Sequence, residues 1–148
     1  MKVLLKVLLL CAALAMQVVW AADVPTTNPP DNDMDRARAL IARKDWTSAQ
    51  ALLEGYVRAK PQSADGFNLL GYSYRNLKKY DESLVAYKQA LRLDPRHRGA
   101  HEYIGMAYVE MGQIEKAREH LASLDKICVF SCEEFRDLKK AIEEAGKR

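Results

Sequence analysis

Apolar residues in the middle of the chain recur at intervals of three and four, with Leu84, Tyr87 and Leu91 forming one run and Ile114, Ala117, Leu121 and Leu124 another. That spacing places each run on one face of a helix and the intervening polar residues on the other. The pattern also repeats as a block. Leu70, Gly71 and Tyr74 return as Ile104, Gly105 and Tyr108, each 34 residues later, and Pro61 precedes Pro95 by the same 34. Three longer series keep that interval: Ala49, Ser83 and Ala117; Leu53, Tyr87 and Leu121; and Tyr56, Ala90 and Leu124. Each unit therefore holds two helices, and Pro61 and Pro95 end the second helix because proline lacks an amide hydrogen and locks φ. Gly71 and Gly105 fall within helices, where glycine costs about 1 kcal/mol against alanine. Their recurrence predicts close approach of a partner backbone, with small Ser83 and Ala117 as the natural neighbours.

Capping chemistry gives the helix starts. Thr47 with Gln50 reads as a capping box, Asp81 as the cap of the matching helix one unit later, and Ser63 as the start of the helix that carries Leu70 and Gly71. The links are then only a few residues long, which forces neighbouring helices to pack antiparallel and leaves no room for long catalytic loops. Past the repeats, Ser131 with Glu134 forms another capping box and Phe130 with Phe135 an apolar staple, predicting a final helix from near Cys132. Phe135, Leu138, Ile142 and Ala145 make its single apolar stripe.

These residues resemble the tetratricopeptide repeat family, whose 34-residue helix-turn-helix unit carries a W-x2-L-G-x2-Y, A-x3-F, P pattern. The middle copy matches at Phe67, Leu70, Gly71, Tyr74, Ser83, Tyr87, Ala90 and Pro95. The third matches at Ile104, Gly105, Tyr108, Ala117 and Leu121, with His101 at the aromatic position and Val129 at the proline position. The first keeps Ala49, Leu53, Tyr56 and Pro61 but has Ala37 for the glycine and Leu40 for the tyrosine. The resemblance implies an all-α, right-handed solenoid of three repeats over residues 34–127, closed by a capping helix within 128–148 whose outer face is polar. It also implies a concave groove lined by the first helix of each repeat. On this chain the groove residues would be Arg38 and Ile41 from the first repeat; Asn68, Tyr72, Arg75 and Asn76 from the second; and Glu102, Met106, Val109 and Glu110 from the third. Such a mixture suits a protein or peptide partner held by side-chain and backbone hydrogen bonds. The competing reading is ordinary exposed helix surface, since fold alone does not fix a ligand.

The first residues change the picture of where the protein works. Lys2 and Lys6 precede an uncharged, mostly apolar run from Val7, which reads as a secretory signal peptide over 1–21 with cleavage at Ala21 and Ala22. The run from Val7 to Ala22 is 16 residues, short of the ~20 a membrane-spanning helix needs, so no stable span is expected after cleavage. Cys11 raises a lipoprotein signal, but bulky Leu10 stands where a small residue is required. Residues 22–33, rich in proline and without apolar periodicity, are expected to be a disordered leader. Export to a periplasm or the exterior follows as the expectation. Cleavage leaves 21 basic and 20 acidic residues, a formal +1, with both signs interleaved through every helix. That argues against a nucleic-acid partner, which requires a clustered basic face.

Candidate chemistry is sparse. Cys128 and Cys132 are the cysteines left after cleavage and flank the turn into the final helix. In an oxidising compartment the simplest reading is a structural disulfide. The alternative is a thiol-redox or copper-handling pair, for which the helix start would favour the Cys132 thiolate. His97 and His101 stand four apart without an evident third ligand, and His120 stands alone, so structural roles are expected and no metal or other cofactor is assigned. No phosphate loop, nucleophile elbow or paired carboxylates in a recognisable setting occur. The sequence points to a binding or scaffolding module and not to an enzyme.

Overall fold

A computed structural model describes residues 30–147, and among them it contains seven α-helices. In chain order these are α1 Pro30–Ala42, α2 Trp46–Ala59, α3 Ala64–Asn76, α4 Tyr80–Leu93, α5 Arg98–Glu110, α6 Ile114–Ile127 and α7 Glu133–Ala145. Each helix packs on the next. Alternate helices also touch along one side, α1 on α3, α3 on α5 and α5 on α7, whereas α2, α4 and α6 make no such contact with one another. A stack that closes on one edge and opens on the other is curved, so α1, α3, α5 and α7 form its inner wall. This is the helical-repeat solenoid that the family resemblance implied.

The turns that set the curvature share one device. Lys44, Lys78 and Gly112, again 34 apart, have φ of 59°, 62° and 73°. In each turn this residue's amide bonds back to a carbonyl three residues earlier, and the next amide reaches five residues earlier, as in Lys78 to Arg75 and Lys79 to Tyr74. These are the two bonds of a Schellman C-cap, in which the left-handed residue reverses the chain directly into the next helix. Only Gly112 meets that demand without steric cost.

Several helix starts differ from the sequence expectation. α1 begins at Pro30, inside the stretch expected to be a disordered leader, because proline fits a first turn and Met34 and Ala37 give the segment an apolar face that is buried. α2 begins at Trp46, and Asp45 caps it by accepting from the Ser48 amide at 3.2 Å, so Thr47 lies within the first turn. α4 begins at Tyr80 without a side-chain cap, and Asp81 sits in its first turn, where a carboxylate still favours the helix dipole. Ser63 caps α3 as expected, its Oγ accepting from the Gly66 amide at 3.0 Å. At α7 the cap position is Cys132 itself, with no side-chain cap bond, and Glu134 instead pairs with Arg98 at 3.5 Å. Phe130 is no staple, being fully turned to solvent while Phe135 packs on the core.

Two apolar cores run through the stack, one from α1 to α4 around Leu53, Tyr56 and Leu70, the other from α4 to α7 around Tyr87, Ile104, Leu124 and Leu138. The glycines mark their tightest points, though against side chains and not against a partner backbone. A β-carbon on Gly71 would stand 2.6 Å from the Tyr87 ring, and one on Gly105 would collide with the Leu138 isobutyl group of α7. Ser83 closes the Gly71 contact by donating its Oγ hydrogen to the Gly71 carbonyl at 2.9 Å. Cys128 and Cys132 form a disulfide across Cα atoms 5.7 Å apart, closing the turn between α6 and α7.

Candidate functional site

On the inner wall the side chain at the centre is Tyr72. Gly71 beside it has no side chain, so the Tyr87 ring can come up from the core behind α3. Tyr87 lies 6.2 Å from Tyr103 of α5, centroid to centroid, and Tyr103 in turn lies 4.9 Å from Tyr72. Trp46, at the start of α2, meets Tyr72 edge-on at 5.7 Å. The result is an aromatic ladder across four successive helices, α2 to α5, with Trp46, Tyr72 and Tyr103 only partly buried. Separations and angles of this kind are the favourable ones for aromatic pairs.

One cation is set into the ladder. The Arg75 guanidinium lies 5.3 Å from the Tyr72 centroid and 5.6 Å from that of Tyr103, and its Nη1 is 3.3 Å from Glu110 Oε1. Glu110 Oε2 also accepts from Lys78 Nζ and from the Tyr80 hydroxyl, both at 3.0 Å. Arg75 is thus held over two ring faces with its side chain only 12% exposed. Its Nε is buried without a hydrogen-bond partner, as are Asn68 Oδ1 and the Tyr87 hydroxyl. Farther along α5, burial pushes the Glu102 carboxyl up to about 7, an effect reinforced by Asp137 and Glu134 on α7 and opposed by Arg75. Burial likewise pushes the Tyr103 phenol up to about 12, with Glu102 adding to it.

The expected groove residues divide accordingly. Tyr72, Arg75 and Glu110 come together in one contact network. Glu102 lies at its edge toward α7, whereas Met106 and Val109 mainly pack against the second core. Asn68 is 7% exposed and belongs to the packed layer beside Gly99. Asn76 spends its amide hydrogen on the Tyr72 carbonyl at 2.9 Å. Arg38, at the position on α1 equivalent to Tyr72, is exposed and pairs with Asp35 at 3.3 Å, and Ile41 packs on the first core. The pattern missed Trp46 and Tyr103. The only signal for Trp46 was its recurrence at the 34-residue interval as Tyr80 and Ile114, and Tyr103 carried none.

The histidines do not converge on a shared ion. His97 caps α5, accepting the Ala100 amide at Nδ1 and meeting Asp65 through Nε2 at 3.0 Å. His101 places Nε2 at 3.2 Å from the Pro95 carbonyl, which only an N–H can satisfy, so its Nδ1 is the acceptor for His120 Nδ1 at 3.1 Å. Burial, with His101 nearby, pulls His120 down to about 4. Among the described residues no three His, Cys, Asp or Glu side chains are grouped to hold a metal ion, and no helix is long and apolar enough to cross a membrane. Cys11 and the cleavage residues Ala21 and Ala22 lie outside the described residues.

Comparison with known proteins agrees with this architecture. Residues 64–97 match the family model described as tetratricopeptide repeat, and residues 100–126 match a second model of the same description. Anaphase-promoting complex subunit 3 of Schizosaccharomyces pombe is 22% identical over 129 residues, a match that covers 79% of this chain but spans only 19% of that protein. Among solved structures, the TPR2B domain of yeast Sti1, in a complex with pHsp70, superposes with a TM-score of 0.73 at 16% identity, over 80% of this chain and 96% of that one. The first TPR of Spaghetti (RPAP3), bound to the HSP90 peptide SRMEEVD, gives 0.69 at 16% identity, covering 80% and 94%. At such identities these likenesses speak for the fold.

Proposed function

We propose, from the premise that the chain belongs to the tetratricopeptide repeat family, that it is a non-catalytic binding module which takes an extended segment of a protein partner along its inner wall. The observation that carries this reading is the ladder of Trp46, Tyr72 and Tyr103 with Arg75 set across it. Aromatic faces and a desolvated guanidinium are the groups that dominate binding energy at interfaces. They stand here on rigid helices, so little ordering entropy opposes capture. Neighbours of the same fold that hold a peptide or protein partner support a binding role.

Export to a periplasm or the exterior belongs to the same proposal, supported by the signal-like residues 1–21 and by a cysteine pair of the kind that oxidising compartments maintain. A crosslinking pull-down from the native compartment tests both parts. The parent chain is expected to bring down a partner, and Trp46→Ala with Tyr72→Ala to lose it at a temperature where circular dichroism shows the variant folded. Undiminished capture by that variant would move the binding surface elsewhere.

The thiol-redox or copper-handling reading rests on one specific feature, the position of Cys132 at the start of α7, where the helix dipole favours a thiolate. Thiols that titrate in protein taken from its own compartment would favour it over the structural disulfide.

A further inference from the structure

The large apolar side chains left exposed in the described residues fall in two places, Val129 and Phe130 at one and Val85 at the other, and the two differ in shape and charge. Val129 and Phe130, 85% and 89% exposed, form the tip of the loop that Cys128 and Cys132 close. Arg96 and Arg98 flank that loop; Arg98 is paired with Glu134, whereas the Arg96 guanidinium has no ion-pair or hydrogen-bond partner among the described residues. Val85, 67% exposed, is instead one wall of a groove of about 590 Å³ on the outer side of the stack. Because α2 and α4 do not touch, Phe67 and Leu70 of α3 are left as its floor. Asp81 and Glu82 stand at its rim without an ion-pair or hydrogen-bond partner among the described residues, while Arg92, which also lines it, bonds to Gln89.

We infer that the chain binds a second copy of itself, seating the Val129–Phe130 tip of one copy in the Val85 groove of another, with Arg96 meeting Asp81 and Glu82. The tip is apolar and protruding with the unpaired Arg96 at its base, while the groove is apolar and recessed with the unpaired Asp81 and Glu82 at its rim, so shape and the unpaired charges are complementary. The disulfide holds the tip in a short closed loop, which lowers the ordering cost of insertion. The loop does not fill the groove of its own chain, since the tip is open to solvent and none of its residues lines the groove. Because tip and groove are different surfaces, the contact is heterologous and can continue from copy to copy.

Sedimentation velocity of the full chain, as its cell processes it, tests the inference with two exposed-site variants, Phe130→Asp in the tip and Val85→Asp in the groove. The parent's weight-average sedimentation coefficient should rise with concentration, and each variant should weaken self-association at least about tenfold. Mixing the two variants should give a one-to-one complex and nothing larger, since only one intact tip and one intact groove remain. Tyr72→Ala should associate like the parent, which separates this contact from the inner-wall reading. A coefficient that stays constant up to about 100 μM protein overturns the inference. So do variants that associate like the parent, or a Phe130→Asp effect confined to binding of anionic phospholipid vesicles, which would assign the tip to a membrane surface.

Discussion

Replacing Glu102 by Gln should stabilise the protein, and only above the pH at which an ordinary carboxyl ionises. Glu102 is half-buried on α5 and faces Asp137 and Glu134, so its carboxyl moves from 4.5 up to about 7. A group whose folded value is raised binds more protons folded than unfolded. The folded state therefore loses stability as pH climbs from about 4.5 through 7, and the loss is complete above that window. The shift corresponds to at most about 3 kcal/mol, and because the side chain keeps partial solvent contact about 1 to 2 kcal/mol is the expected gain for Glu102→Gln at pH 8. For a domain of this size that is roughly 4–8 °C in melting temperature. Below pH 4.5 parent and variant both carry a neutral side chain of nearly the same shape and should melt together. Melting curves of both proteins from pH 4 to pH 8 decide the matter. A variant that gains the same amount at every pH, or that melts lower at pH 8, would show that Glu102 is not the strained carboxylate of this wall.

Gly71→Leu should cost about 2 kcal/mol or more, since its side chain would enter the space of the Tyr87 ring 2.6 Å away, and a melting temperature within a few degrees of the parent would count against that packing. Lys44→Gly should raise the urea midpoint by the equivalent of about 0.5 kcal/mol by relieving the left-handed backbone at φ 59°, whereas Gly112→Ala should lower it by about 1 kcal/mol. Equal and small effects at the two positions would contradict the shared turn. Loss of the Cys128–Cys132 bridge, which closes a five-residue loop worth only about 2 kcal/mol, should raise amide exchange around Phe135, Leu138 and Ile142 while Leu70 to Tyr87 stay protected. Uniform deprotection along the chain would show that the bridge holds more than the last helix.

What the sequence revealed followed how strictly the period constrains each residue. Leu70, Tyr87 and Leu124 are buried because a 34-residue unit leaves them no alternative, and the two-helix unit could be read from their spacing alone. The Schellman turns escaped notice because two of the three left-handed positions carry lysine, which gives no conformational signal in sequence. Caps shifted by a residue or two for a related reason: Asp45 rather than Thr47 receives the chain directly from such a turn. The inner wall was legible at Tyr72, Arg75 and Glu110, which follow the repeat register, and not at Trp46 and Tyr103. Their contacts depend on how one repeat is rotated on the next, and no spacing within a single unit encodes that rotation.

The claim that the ladder holds a partner is tested most directly by a photoreactive side chain placed in it. With p-benzoylphenylalanine at position 103, irradiation in the native compartment should yield a discrete crosslinked partner, and the same group at Lys88, exposed on α4, should not. A crosslink formed at position 88 alone, or with equal yield at both positions, would contradict the account.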